Sequence, residues 1–108
     1  MKPLIEVLTF DGCPHAEATR ELIARVVAEL EAEADVVVVD VPDQEAAATH
    51  RFLGSPTVRV DGRDVEPFAE RRDEVVFGCR VYRTDAGLSG RPDERWVRDA
   101  VSRASPSS

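Results

Sequence analysis

The chain has 108 residues, 43% hydrophobic and 32% charged, with a formal net charge of −7. That length fits one compact domain with a single core, and the composition is that of a globular, soluble chain rather than a disordered one. The acidic balance excludes nucleic acid as a partner, since no basic stripe with interleaved aromatics is present, and no stretch approaches the roughly 20 apolar residues that span a bilayer.

Leu4 to Thr9 is an apolar run broken by Glu6, which predicts a strand. Glu6 and Asp11 also interrupt the N-terminal apolar run, which argues against a signal peptide. An Asp11-Gly12 turn follows, then Cys13, with Pro14 suited to a first helical position. From Ala16 to about Ala34 the period is helical: Leu22, Ile23, Val26, Val27 and Leu30 share one face, and Glu21, Arg25 and Glu29 lie opposite at i,i+4 spacing. Asp35 to Val41 holds four successive valines, the pattern of a strand buried on both faces, and so predicts a central, parallel strand.

Asp43 to Leu53 reads as a short helix ended by Gly54. Ser55 to Val60 alternates as a strand and turns at Asp61-Gly62. The polar segment from Asp64 to about Glu74 predicts a surface excursion, and Val75 to Arg83 a strand in which Gly78 marks a bulge or a close backbone approach. Gly87 and Gly90 bracket a loop, and Asp93 to about Ala104 is the last helix, with Trp96, Val97, Ala100 and Val101 inward. One domain over residues 1–104 and a flexible tail over 105–108 are expected, with an α/β sheet of about four strands flanked by three helices.

The chemistry in this pattern is a thiol delivered to a helix N-terminus. Unpaired N–H groups and the helix dipole there favour a thiolate, which makes Cys13 a candidate nucleophile. The flanking Gly12 and Pro14 put it in a turn, a poor place for core packing. With a cytoplasmic location as the default, two cysteines are expected to be catalytic, redox-sensing or metal-binding rather than a permanent disulfide. Their separation matches no zinc-ligand spacing, and neither His15 nor His50 completes one, so no metal site and no cofactor are expected. Cys79, in an apolar strand, is expected to be buried and inert; the alternative is a resolving thiol close to Cys13. His50 is expected at the surface or boundary, Phe52, Phe68, Phe77 and Trp96 as core or loop anchors, and Asp11 chiefly as a turn residue.

Cys13-Pro14-His15-Ala16 after the first strand, and Ser55-Pro56-Thr57 at the third, make the chain resemble the thioredoxin-like superfamily. The resemblance spans roughly Leu4 to Ala104 and is closest to members whose motif reads Cys-Pro-His-Cys, with Ala16 as the departure. It implies a cis bond at Pro56 facing the active cysteine, thiolate stabilisation by His15, and a Ser55-Pro56-Thr57 loop that positions a partner, which could pair there as an added strand. It further implies thiol–disulfide exchange on Cys13 with a disulfide-containing protein or a low-molecular-weight thiol, resolved by an external thiol or by Cys79. Pro67-Phe68 and Cys79-Arg80-Val81-Tyr82-Arg83 also resemble small bacterial thioredoxin-like proteins labelled alkylmercury lyase. That implies, as an alternative, two thiolates on a soft metal or organomercurial with Asp11 as the acid. A third reading is a non-catalytic interaction module, for which Ala16 is the argument.

Overall fold

A computed structural model describes residues 2–105. In chain order the elements are β1 Leu4–Thr9, α1 Ala16–Glu29, β2 Asp35–Asp40, α2 Gln44–Thr49, β3 Leu53–Ser55, β4 Thr57–Val60, β5 Arg63–Asp64, β6 Val76–Cys79, β7 Tyr82–Thr84, β8 Gly87–Ser89 and α3 Glu94–Ala104. Four strands form a mixed sheet in the order β2-β1-β4-β5, with β2 parallel and β4 antiparallel to β1. Two short ladders, β3 with β6 and β7 with β8, complete the strands. None of the described helices is long and apolar enough to cross a membrane.

Alternation along β1 builds two cores. Ile5 and Val7 pair with Val60 and Val58 on one face, which α1 covers with Leu22, Ile23 and Val26 and α3 with Val97 and Val101. Leu8 points the other way, into a smaller cluster with Val41, Ala47 and Phe52 beneath α2. The inward faces read from the sequence for the first and last helices are those observed. Outside, Arg98 clasps Glu29 of α1 at 3.0 Å and Glu94 of its own helix at 2.9 Å, while Arg25 reaches Glu94.

Several boundaries differ from the sequence expectation. Pro14 is not helical, because His15 is the N-cap of α1. That helix ends at Glu29, with Glu31 at φ 51° and Ala32 N–H donating to Val27 O (3.0 Å), a Schellman stop made without glycine. Helix α2 stops the same way at Arg51 (φ 53°), where Phe52 N–H donates to Ala47 O (2.9 Å). Gly54 therefore does not end a helix. It sits in β3 at φ +109°, where an added Cβ would stand 2.9 Å from Arg80 Cβ. The run from Ser55 to Val60 splits at Pro56 into β3 and β4, and that from Val75 to Arg83 splits into β6 and β7. The excursion from Asp64 to Glu74 is anchored rather than loose, since Val65 and Ala69 are buried.

The largest correction concerns β2. It is parallel to β1, as expected, yet it is an edge strand, with Val36, Val37 and Val38 exposed by 46%, 41% and 50%. The apolar run was read as two-sided burial, but no strand pairs beyond it among the described residues. The last three residues of the expected tail lie outside those described; Ser105 caps α3, its hydroxyl donating to Val101 O at 2.8 Å.

One buried cation fixes the corner on which the functional region rests. Arg80 is 3% exposed. Its guanidinium donates to both carboxylate oxygens of Asp64 (2.7 and 3.1 Å), to Glu66 (2.7 Å) and to the Thr57 hydroxyl (3.1 Å). It also lies 4.3 Å over the Tyr82 ring. Burial by itself would weaken this cation; the two carboxylates outweigh it and raise the Arg80 pKa above its ordinary value. Burial pushes the Tyr82 phenol up as well, so it keeps its proton and donates to Pro56 O at 2.6 Å.

Replacing Arg80 with alanine leaves Asp64 buried without its partner. Arg80→Ala is expected to cost about 3–5 kcal/mol of unfolding free energy in chemical denaturation. Tyr82 is the only tyrosine, so its titration can be read directly. The native state holds the phenolic proton above the ordinary pKa of about 10, whereas the unfolded chain loses it. The Tyr82 contribution to stability should therefore be full below that pH and decline above it, with tyrosinate absorbance rising only as the chain unfolds. Tyrosinate in a chain still folded would contradict this.

Candidate functional site

The thiol turn is built by local rules. Phe10 leaves β1, Gly12 takes φ +85°, and Cys13 N–H closes the turn onto Phe10 O at 3.3 Å. His15 follows as N-cap with no side-chain hydrogen bond to the helix, so no capping side chain competes for the first N–H groups of α1. Cys13 is half-buried and unpaired. It lines an open recess of about 490 Å³ with Phe10, Asp11, Ala16, Val38 and Asp40. Two fields meet there: the helix end favours negative charge, and the carboxylates of Asp11 and Asp40 oppose it. Another hollow, of about 480 Å³ and lined by Arg63, Glu66, Phe68 and Arg103 among others, holds no thiol.

His15 is exposed, and its ring lies against Gly90: a Cβ built on Gly90 would come 2.2 Å from His15 Cδ2. The β8–α3 connection thus presses on the residue that opens α1.

The Ser55–Pro56 peptide is cis, the geometry anticipated for it. The Thr9 and Ser55 hydroxyls share a hydrogen bond of 2.7 Å, tying this corner to the strand that leads into the cysteine turn. Its side chains are not presented to a partner, however: Ser55 is 1% and Thr57 0% exposed, and Pro56 is buried. Thr57 donates to Gly54 O at 2.6 Å, and Ser55 O accepts Arg80 N–H at 2.9 Å. The edge at which an incoming strand was expected is taken by the chain itself. Strand β6 runs parallel to β3, with Leu53 opposite Val76 and Ser55 opposite Cys79. One extra residue on β6 falls at Phe77-Gly78, the bulge expected at Gly78.

Cys79 is thus exposed, not buried as expected, because β6 is a short outer strand whose residues alternate between half-buried and exposed. It is paired with Ser55 and so stands at the corner tied to the Cys13 turn. Phe10 and Phe77 meet edge to face with centroids 5.5 Å apart, a second bridge between the cysteine turn and β6. Phe68 and Phe77 are exposed by 63% and 40%, unlike the core anchors Phe52 and Trp96. His50 is half-buried on α2's far end, away from this cluster, and its carbonyl accepts from Arg59 at 2.8 Å. No group of three or more His, Cys, Asp or Glu side chains among the described residues could hold a metal ion.

Sequence reasoning missed Thr9, Val38, Asp40, Arg80 and Gly90. Arg80 left a signal, a charge inside an apolar run between Cys79 and Tyr82; the others left none. Compared with protein-family models, curated proteins and solved structures, the chain matches none.

Gly90→Ala should drive the His15 ring from its seat without strain in the backbone, since Gly90 does not use a positive φ. The expected result is a clear change in the His15 imidazole resonances with an unfolding free energy altered by less than about 1 kcal/mol. Unmoved resonances would contradict this packing.

Proposed function

We propose that the protein is a thioredoxin-like thiol–disulfide oxidoreductase or thiol-transfer protein in which Cys13 is the nucleophile. The observation that carries this reading is the seat of the thiol, half-buried on an open recess, two residues ahead of the N-cap of α1. The succession of strand, helix, strand, helix, paired strands and helix supports the resemblance, as does the Thr9–Ser55 link from the cysteine turn to the proline corner.

In this reaction the Cys13 thiolate attacks one sulfur of a disulfide R–S–S–R′. The Cys13–S–S–R bond forms as the old S–S bond breaks, and R′S⁻ leaves and takes a proton from water. The substrate disulfide gives up its two oxidising equivalents to the new mixed disulfide. An external thiol then attacks that bond and regenerates Cys13, carrying R away as a new disulfide. Where Cys79 attacks instead, RSH is released and a Cys13–Cys79 disulfide remains, which two further thiols reduce. His15, when protonated, adds positive charge at the same helix end. Ala16 removes a motif partner, so the mixed disulfide with an external group is the lasting intermediate.

The exposure of Cys79 and its pairing with Ser55 favour a second reading, in which both thiolates hold a soft cation such as Hg(II).

Mass spectrometry of Cys79→Ser after incubation with oxidised glutathione should detect one adduct, on Cys13, reversed by excess reduced thiol. A protein left unmodified at Cys13 would sink the thiol-transfer reading. For the second reading, Hg(II) affinity should fall at least ~10-fold in both Cys13→Ser and Cys79→Ser. Affinity independent of either thiol would dismiss it.

A further inference from the structure

We propose that the outer edge of β2, Val36 to Asp40, is the docking surface for an extended peptide segment. That segment has apolar residues at alternate positions and an arginine or lysine at the end nearest Cys13. The proposal names the partner class for the thiol-transfer reading and rests on it for chemistry, but the docking itself is measured separately.

Three observations converge. First, β2 is bonded to β1 along one edge in unbroken register from Asp35 to Asp40, and no strand pairs its other edge among the described residues. It lacks the lysine, proline or bulge that ordinarily blunts such an edge, and its valines are 41–50% exposed at Val36, Val37 and Val38. Second, this edge leads to the thiol. The two-residue period puts Val36, Val38 and Asp40 on one face, and Val38 and Asp40 wall the recess that holds Cys13. The alternative edge at Ser55 is filled by β6.

Third, the charges select the occupant. Asp35 and Asp40 bracket the valines. Lys2 lies 4.0 Å from Asp35 and offsets that end, whereas Asp40 and Asp11, which both line the recess, enter no ion pair among the described residues. A second copy of the chain is a poor fit. Antiparallel pairing of two β2 strands sets Asp35 against Asp40 twice, and parallel pairing sets each aspartate against its own copy. A strand ending in a cation meets the uncompensated pair instead.

The test titrates isotope-labelled Cys79→Ser protein with the cysteine-free, C-terminally amidated peptide Thr-Val-Thr-Val-Ser-Arg and with the same peptide ending in the neutral Gln, following backbone amide resonances. The expected result is perturbation concentrated at residues 36–40, with the Arg-ended peptide bound about fivefold more tightly, the ratio one charge contact of ~1 kcal/mol gives in water. Asp40→Asn should erase most of that preference, and Val38→Lys should abolish binding. Val38 is half exposed, so this change leaves the core intact. Perturbation centred on β6, equal affinity for both peptides, no binding, or self-association of the protein through β2 would each overturn the proposal. The oxidised-glutathione adduct on Cys13 is read in the same sample. Adduct without peptide binding sinks the docking alone, and peptide binding without adduct sinks the thiol chemistry alone.

Discussion

A guanidinium shut almost wholly away from water is the constraint from which the geometry of this protein follows. Burying such a charge costs several kcal/mol unless carboxylates and hydrogen bonds surround it. Arg80 meets that demand by drawing in groups from three separate strands or loops: Asp64 from β5, Glu66 beyond it and Thr57 from β4. Its backbone N–H meanwhile holds Ser55, and its neighbour Tyr82 holds Pro56. A hydrophobic residue of similar volume could fill the space with comparable stability, yet it would not fix Asp64, Glu66 and Thr57 relative to one another. The cation specifies a corner rather than merely stabilising one. Gly54 belongs to the same arrangement, since any side chain there would push against the Arg80 backbone.

That corner decides which surfaces remain open near the thiol. By anchoring Arg80, it lays β6 along β3 and sets Cys79 opposite Ser55. The proline edge is thereby filled from within, and the side chains of Ser55 and Thr57 serve as internal braces. Cys13 opens toward β2, whose Val38 and Asp40 share its recess. The two thiols are therefore joined through a shared framework, Thr9 to Ser55 and Phe10 to Phe77.

The parts of this fold that were legible in the sequence are those written by local rules. The period of Leu22, Ile23 and Val26 marks the buried face of α1, Asp43 and Asp93 mark helix starts by capping, and Asp61-Gly62 marks a hairpin. Gly78 as a bulge was also readable, because a glycine inside a strand pattern has few other reasons to be there. What escaped depended on distant partners. Four valines in a row carry the signature of two-sided burial, but burial is a property of what lies outside, and α1 covers β1 and β4 without extending over β2. The left-handed turns that stop α1 and α2 are made by Glu31 and Arg51, residues with no preference for that region, so neither stop was written in composition. Cys79 looked like a core residue because its neighbours Val76 and Phe77 are apolar, while its exposure follows from β6 being a short outer strand.

The same contrast governs the electrostatics at Cys13. The field of the α1 N-terminus acts over the first turn only, and Cys13 lies just ahead of it with no capping side chain to compete. The carboxylates of Asp11 and Asp40 are exposed, so water screens them, and physiological salt shortens their reach to roughly 8 Å. The helix end and the two aspartates therefore act on the recess with opposite sign. In the proposed docking a cationic group at the mouth of the recess relieves the opposing field as it binds, so the charge that selects an occupant would also favour the thiolate on which the proposed chemistry depends. An anionic occupant meets the reverse at both steps. In that proposal the acidic rim is a filter whose sign is fixed by two residues, Asp11 and Asp40, while the thiol behind it draws on the helix.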